Sequence, residues 1–141
     1  MFDVIVVGTD GSETAEVAVN EAIALAGTHG SALHVVSSYK PNRTRHVSGG
    51  GEGWDIRPED EVDALLEAAA ARARGRDVQV RTHSSRREPA KAVLAVAKEV
   101  GADLIVVGNR GMRGTKRFLL GSVPNSIAHG AQCHVLVLKT S

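Results

Sequence analysis

The chain has 141 residues, a formal net charge of +1 and 43% hydrophobic residues, which fits one domain with a core of its own. So even a charge balance gives no general electrostatic case for nucleic acid or a membrane surface. Cys133 is the single cysteine, which excludes an intrachain disulfide and a cysteine-built zinc site.

Residues 1–7 carry no basic flank and only a short apolar run, too little for a signal peptide or a membrane span, and the expected location is the cytoplasm. Val4 to Val7 runs into Gly8-Thr9-Asp10-Gly11-Ser12, as a central strand does when it turns into a helix. Ser12 is a suitable N-cap, and Ala15, Val19, Ala22, Ile23 and Ala26 recur at helical spacing until Gly27 and Gly30. Asp10 is thereby placed at the carboxyl end of a strand, the edge where open α/β sheets bind ligands; an Asx turn or a second helix cap is the structural alternative. Ala32 to Ser38 reads as the second strand, with His34 as a side chain on the sheet face and no partner apparent nearby.

From Lys40 to Pro58 two prolines and four glycines break every period, and the stretch reads as a loop. It leaves from the ligand-binding edge, so a flap carrying Arg43, Arg45, His46 or Trp54 toward a ligand stands beside a plain solvated linker. Glu59 to Arg74 is a helix with Val62, Leu65, Leu66, Ala69 and Ala73 on one face, acids in its first turns and Arg72 and Arg74 in its last. Asp77 to His83 alternates like a strand at the edge of a sheet. Arg86 and Arg87 read as solvated, with phosphate contacts as the alternative. Glu88-Pro89 then starts a helix with Val93, Leu94, Ala97 and Val100 buried before Gly101.

Leu104 to Val107 is a second continuous apolar run, and it enters Gly108-Asn109-Arg110-Gly111-Met112-Arg113-Gly114. Gly121-Ser122 then opens a short helix over Val123 to Ala128, ended by His129-Gly130. Glycines let a ligand approach the backbone, and amides freed in such a loop and at a helix N-terminus favour an anion, most often phosphate. Arg110, Arg113, Lys116 and Arg117 add positive charge, with Arg110 or Arg113 preferred to face inward. His134 to Leu138 is the last strand, with Cys133 a small buried hydrophobe beside it. Strands and helices alternating in this way argue for a parallel, doubly wound sheet with right-handed crossovers.

The spacing G-x2-G-x9-G-S, from Gly108 through Gly111 to Gly121 and Ser122, resembles the nucleotide-binding branch of the universal stress proteins. The resemblance runs from V-I-V-V-G-T-D-G-S at Val4 to Ser12 through to V-L-V-L at Val135 to Leu138. It implies a Rossmann-like sheet of five parallel strands in the order 3-2-1-4-5, with ligand bound between the loops of the first and fourth strands. The implied nucleotide-binding residues are Gly8, Thr9, Asp10, Val36, Gly108, Asn109, Arg110, Gly111, Arg113, Gly114, Gly121, Ser122 and Val123. Asp10 would contact the adenosine portion, and backbone groups at Val36, with Ser37 beside it, would read the adenine edge. Three positions depart from the usual family pattern: Asn109 in place of serine, Pro124-Asn125 after G-S-V, and His134 in place of a frequent proline.

The implied function is a regulatory adenine-nucleotide-binding protein that binds ATP and hydrolyses it slowly at most. With ATP, magnesium would be held mainly by the phosphates; cyclic AMP is the alternative ligand and needs no metal. No catalytic residue or protein metal site is assigned. An adenylyl-transferring enzyme is the further alternative, disfavoured because S-G-G-x-D-S, H-x-G-H and the Walker lysine motif are all missing. A flavodoxin-like carrier is disfavoured by the scarcity of aromatics. The family's solution for the bare, apolar last strand implies a homodimer through His134 to Leu138.

Overall fold

Two of the apolar runs form the heart of the sheet: β1 (Val4–Gly8) and β6 (Leu104–Gly108) are hydrogen-bonded side by side, Ile5 against Leu104 and Val7 against Val106. The computed structural model describes residues 1–41, 45–49, 52–109 and 121–140, with 45–49 and 52–56 described by their backbone. β2 (Ala32–Ser38) pairs on the other side of β1, β5 (Val80–Ser85) lies outside β2, and β7 (His134–Leu138) lies outside β6. Every pairing in this sheet is parallel. Counting only its own members, the order is 3-2-1-4-5, as the resemblance implies.

Alternate residues of β1 point to opposite faces, and each face is covered by its own helix pair. Ile5 and Val7 pack under α1 (Glu13–His29) and α2 (Pro58–Arg74), with Ala18, Ala22, Ile23, Leu66 and Ala69. Val6 packs under α3 (Pro89–Val100) and α4 (Ser122–Gly130), with Val93, Val96, Ile105 and Ile127. Asp103, just before β6, accepts hydrogen bonds from the amides of Asp3 (2.8 Å) and Val4 (3.1 Å), which fixes the register of β6 on β1.

Three boundaries differ from expectation. Gly27 lies inside α1, and only Gly30, at φ 66° in the left-handed region, ends the helix. The edge strand begins at Val80, because Asp77 takes φ 58° in a turn and Val78 is buried in the core. The stretch from Lys40 to Pro58, read as an irregular loop, contains an antiparallel pair, β3 (Arg45–Gly49) and β4 (Glu52–Ile56). Val47 opposes Trp54 and Gly49 opposes Glu52, and residues 50 and 51 between the two strands lie outside the described residues.

Candidate functional site

At the carboxyl ends of β1 and β6 the crossovers leave in opposite directions, which opens a crevice at the topological switch point. A cleft with about 580 Å³ of atom-free space, open to solvent, lies there. One wall is the β1–α1 turn: Gly8, Thr9, Asp10 and Ser12. Val36, Ser37 and Ser38 of β2 form the next side. Pro89, Ala92 and Val93 of α3 with Val123, Pro124 and Ile127 of α4 make the apolar back, and Val107 and Gly108 close the β6 side.

The β1–α1 turn is held rigidly by its own polar groups. The Asp10 carboxylate accepts at Oδ1 from the amide of Ser12 (2.9 Å), the Asx turn that the sequence offered as the structural alternative. Its other oxygen has no hydrogen-bond partner among the described residues. Thr9 Oγ1 accepts from the Gly11 amide (3.1 Å), and Ser12 Oγ accepts from the Ala15 amide (3.2 Å), capping α1. Gly11 has φ 81°, and a Cβ there would stand 3.2 Å from Leu65 of α2.

The β2 side is already partly committed to the fold. The Val36 carbonyl accepts the Thr9 amide (2.9 Å), and Ser37 Oγ donates to the Thr9 carbonyl (2.7 Å). Any base reading by the Val36 carbonyl would therefore use its second lone pair. Gly8 also has a packing role: a Cβ there would lie 2.8 Å from Val93 Cγ2, so its missing side chain admits α3.

Gly121 is the N-cap of α4, with φ −59°, so its backbone conformation is open to any residue. Its amide donates to the Asn109 carbonyl (3.1 Å), and Pro124 has no amide hydrogen to give. The first turn of α4 therefore presents two amides not spent among the described residues, those of Ser122 and Val123, with the exposed Ser122 beside the cleft. Asn109 is not in the cleft lining. Its Oδ1 accepts from the Thr140 amide (2.9 Å) and from Thr140 Oγ1 (3.1 Å), tying the segment after β7 to the end of β6.

Gly8, Thr9, Asp10, Val36, Gly108 and Val123 thus line one cleft, with Gly121 and Ser122 at the helix start beside it. Arg110, Gly111, Arg113 and Gly114 lie outside the described residues, as do Arg43, Lys116 and Arg117. Asp10 is the sole charged side chain in the described lining. No group of three His, Cys, Asp or Glu that could hold a metal occurs among the described residues. Sequence reasoning passed over the apolar back wall, because Ala92, Val93 and Ile127 carry the same pattern as any buried helix stripe.

The family model for the universal stress protein family matches residues 1–139. The chain belongs to the universal stress protein family. It is 32% identical over 148 residues to the universal stress protein YxiE of Bacillus subtilis, covering 99% of this chain and all of that protein. Among solved structures, it is similar to a universal stress protein in complex with cAMP, at 30% identity and a TM-score of 0.77, covering 99% of this chain and 98% of the other. The universal stress protein from Archaeoglobus fulgidus in complex with dAMP is 27% identical, with a TM-score of 0.66 over 99% of this chain and 98% of that one. This universal stress protein fold places its cleft on the edge that doubly wound sheets use for ligands, and among its described residues no helix is long and apolar enough to cross a membrane.

Proposed function

We propose that this universal stress protein is a cytoplasmic regulatory protein that binds an adenine nucleotide in the cleft between the β1 and β6 loops. The observation that carries this reading is that Asp10 and Val123 line one largely apolar cleft, with the unspent amides of Ser122 and Val123 at the start of α4. The base would lie against Val36, Ala92 and Val93, the free oxygen of Asp10 would accept from a ribose hydroxyl, and the Ser122 and Val123 amides would receive a phosphate. With ATP, the loop from Gly108 to Gly121 would hold the remaining phosphates and magnesium would be bound mainly by them. Hydrolysis is slow at most, since Asp10 is the one carboxylate in the described lining and its Oδ1 is already engaged.

Cyclic AMP is the second reading. It is favoured by the neighbouring structure in complex with cAMP and by a helix start that offers only two amides, enough for one phosphate. Both readings include a homodimer through β7, whose outer edge has no partner strand among the described residues. A monomer in light scattering at micromolar concentration contradicts that part.

Calorimetric titration of ligand-free protein with ATP, with and without magnesium, and with cyclic AMP, ADP and GTP tests the cleft. Adenine-selective binding that is lost in Gly121→Val and weakened in Asp10→Ala is the expected result. If none of these nucleotides binds, the glycine loop is structural and the proposal fails.

A further inference from the structure

α3 and α4 have a second side. Behind the wall they give the cleft, they border a groove with about 1370 Å³ of atom-free space, open to solvent. Leu94 and Ala95, both half-buried, are apolar residues of its lining with Ala97 and Ile105 buried beneath, and Arg87, Lys91 and Lys98 are its charged residues among the described ones. Lys91, Leu94 and Lys98 follow at intervals of three and four, so they share one face of α3. Among the described residues no carboxylate lines the groove and none of the three cations forms an ion pair. In a chain of net charge +1, three unpaired cations around one hollow are a local excess. A merely solvated helix face would account for the lysines but not for the apolar surface between them.

We propose that this groove docks an acidic amphipathic segment of a partner protein, its carboxylates on Arg87, Lys91 and Lys98 and its apolar residues on Leu94. Charge complementarity selects that occupant. Groove and cleft share α3: Ala92 and Val93 face the nucleotide site, Lys91 and Leu94 the groove. The helices touch closely, since a Cβ at Gly130 of α4 would stand 2.7 Å from Leu94 Cδ1. A ligand that shifts α3 therefore shifts the docking face, and by linkage the partner alters nucleotide affinity by the same factor. This coupling rests on the nucleotide reading; the docking does not.

Cys133, the sole cysteine, is half-buried in the groove lining and not the fully buried hydrophobe expected from the sequence, so it provides a local reporter. The probe is a synthetic peptide with leucines at helical spacing flanked by glutamates, followed by fluorescence anisotropy and by the rate of Cys133 alkylation with iodoacetamide. Saturable binding that slows alkylation, weakens about tenfold in Lys91→Glu/Lys98→Glu and is regained in that variant by a lysine version of the peptide supports the proposal. A scrambled peptide or polyglutamate binding equally well overturns it, as does binding to phosphatidylglycerol vesicles in place of the peptide, or no binding at all. Cys133 shielded by raising the protein concentration alone would make the groove a contact between copies and overturn it too. Peptide binding to protein that binds no nucleotide supports the docking and overturns the reading of the cleft, which separates the two failures.

Discussion

Gly8 faces the cleft, yet its nearest neighbour on the Cβ side belongs to the protein, and a double-mutant cycle with Val93 measures which of the two matters for stability. A Cβ built on Gly8 lies 2.8 Å from Val93 Cγ2, against an ordinary contact limit of 3.4 Å, so one side or the other must retreat by 0.6 Å. Val93 is 3% exposed and packed against Val36, Val96 and Ile127, which leaves it little room to turn. Overpacking of this kind costs about 1–3 kcal/mol, and the stiffer unfolded chain returns about 0.4–1 kcal/mol, so Gly8→Ala is expected to destabilise by about 1–2 kcal/mol. Val93→Ala removes two methyl groups, about 0.8 kcal/mol each, and leaves a cavity, for a total of about 2 kcal/mol. In the double variant the new methyl occupies the vacated space, and the loss should stay near about 2 kcal/mol instead of summing to about 3–4 kcal/mol. Urea unfolding, with a slope of about 1–3 kcal/mol per molar, resolves the difference as a midpoint shift of about 0.5–1 M. Additivity within about 0.5 kcal/mol would refute the contact.

Ser12→Ala removes the Oγ that accepts the Ala15 amide and should cost about 1 kcal/mol in thermal unfolding; an unchanged midpoint would mean that α1 is capped by other means. Asn109→Ala deletes both hydrogen bonds to Thr140 and should cost about 1–2 kcal/mol, with faster amide exchange at Thr140. Equal exchange in the two proteins would show that the segment after β7 is held without Asn109. Burial pushes the pKa of His34 below its ordinary 6.5, helped by His83 and Arg81. Burial likewise lowers His83, with Glu99 opposing and Arg81 adding to the effect. Near pH 6 the folded chain therefore binds fewer protons than the unfolded chain, and stability falls as pH drops below about 6.5 toward the lowered values. Replacing both histidines with glutamine should flatten that slope; an identical pH profile in the double variant would overturn the assignment.

Legibility followed the strength of each local signal. β1 and β6 were plain because four apolar residues in a row before a glycine have few other uses in a parallel sheet, and the Ser12 cap gave the first residue of α1. The β3–β4 pair is not legible in composition, because Pro41 and Pro58 flank a glycine-rich stretch that reads as a loop, although a Gly50-Gly51 dipeptide between two short runs is a hairpin signal in the sequence itself. His34 carried no sign of a partner, since His83, its ring nitrogen 2.9 Å away, lies 49 residues on and meets it only when β5 pairs with β2. Asn109 looked like a polar group offered to a ligand; that its oxygen serves Thr140 depends on the exit of a strand 25 or more residues later, which no local pattern encodes. Gly8 was assigned to the ligand edge, and its contact with Val93 is likewise a product of tertiary packing.

The placement of β1 between β2 and β6 has a consequence for the order in which the chain can be completed. β1 and β2 are made first and can pair at once, but the other edge of β1 stays bare until Leu104–Gly108 has been synthesised, about a hundred residues behind it. That edge is Ile5, Val6 and Val7, all fully buried in the finished protein, so until Leu104–Gly108 is made a nascent chain carries an apolar strand with one bare edge. No ligand of the cleft can help during that interval, because the cleft lacks its β6 and α4 walls until those elements arrive. The burden of keeping the growing chain from associating falls on whatever binds exposed strands in the cell, and a chain broken off before Leu104 should be found in aggregates.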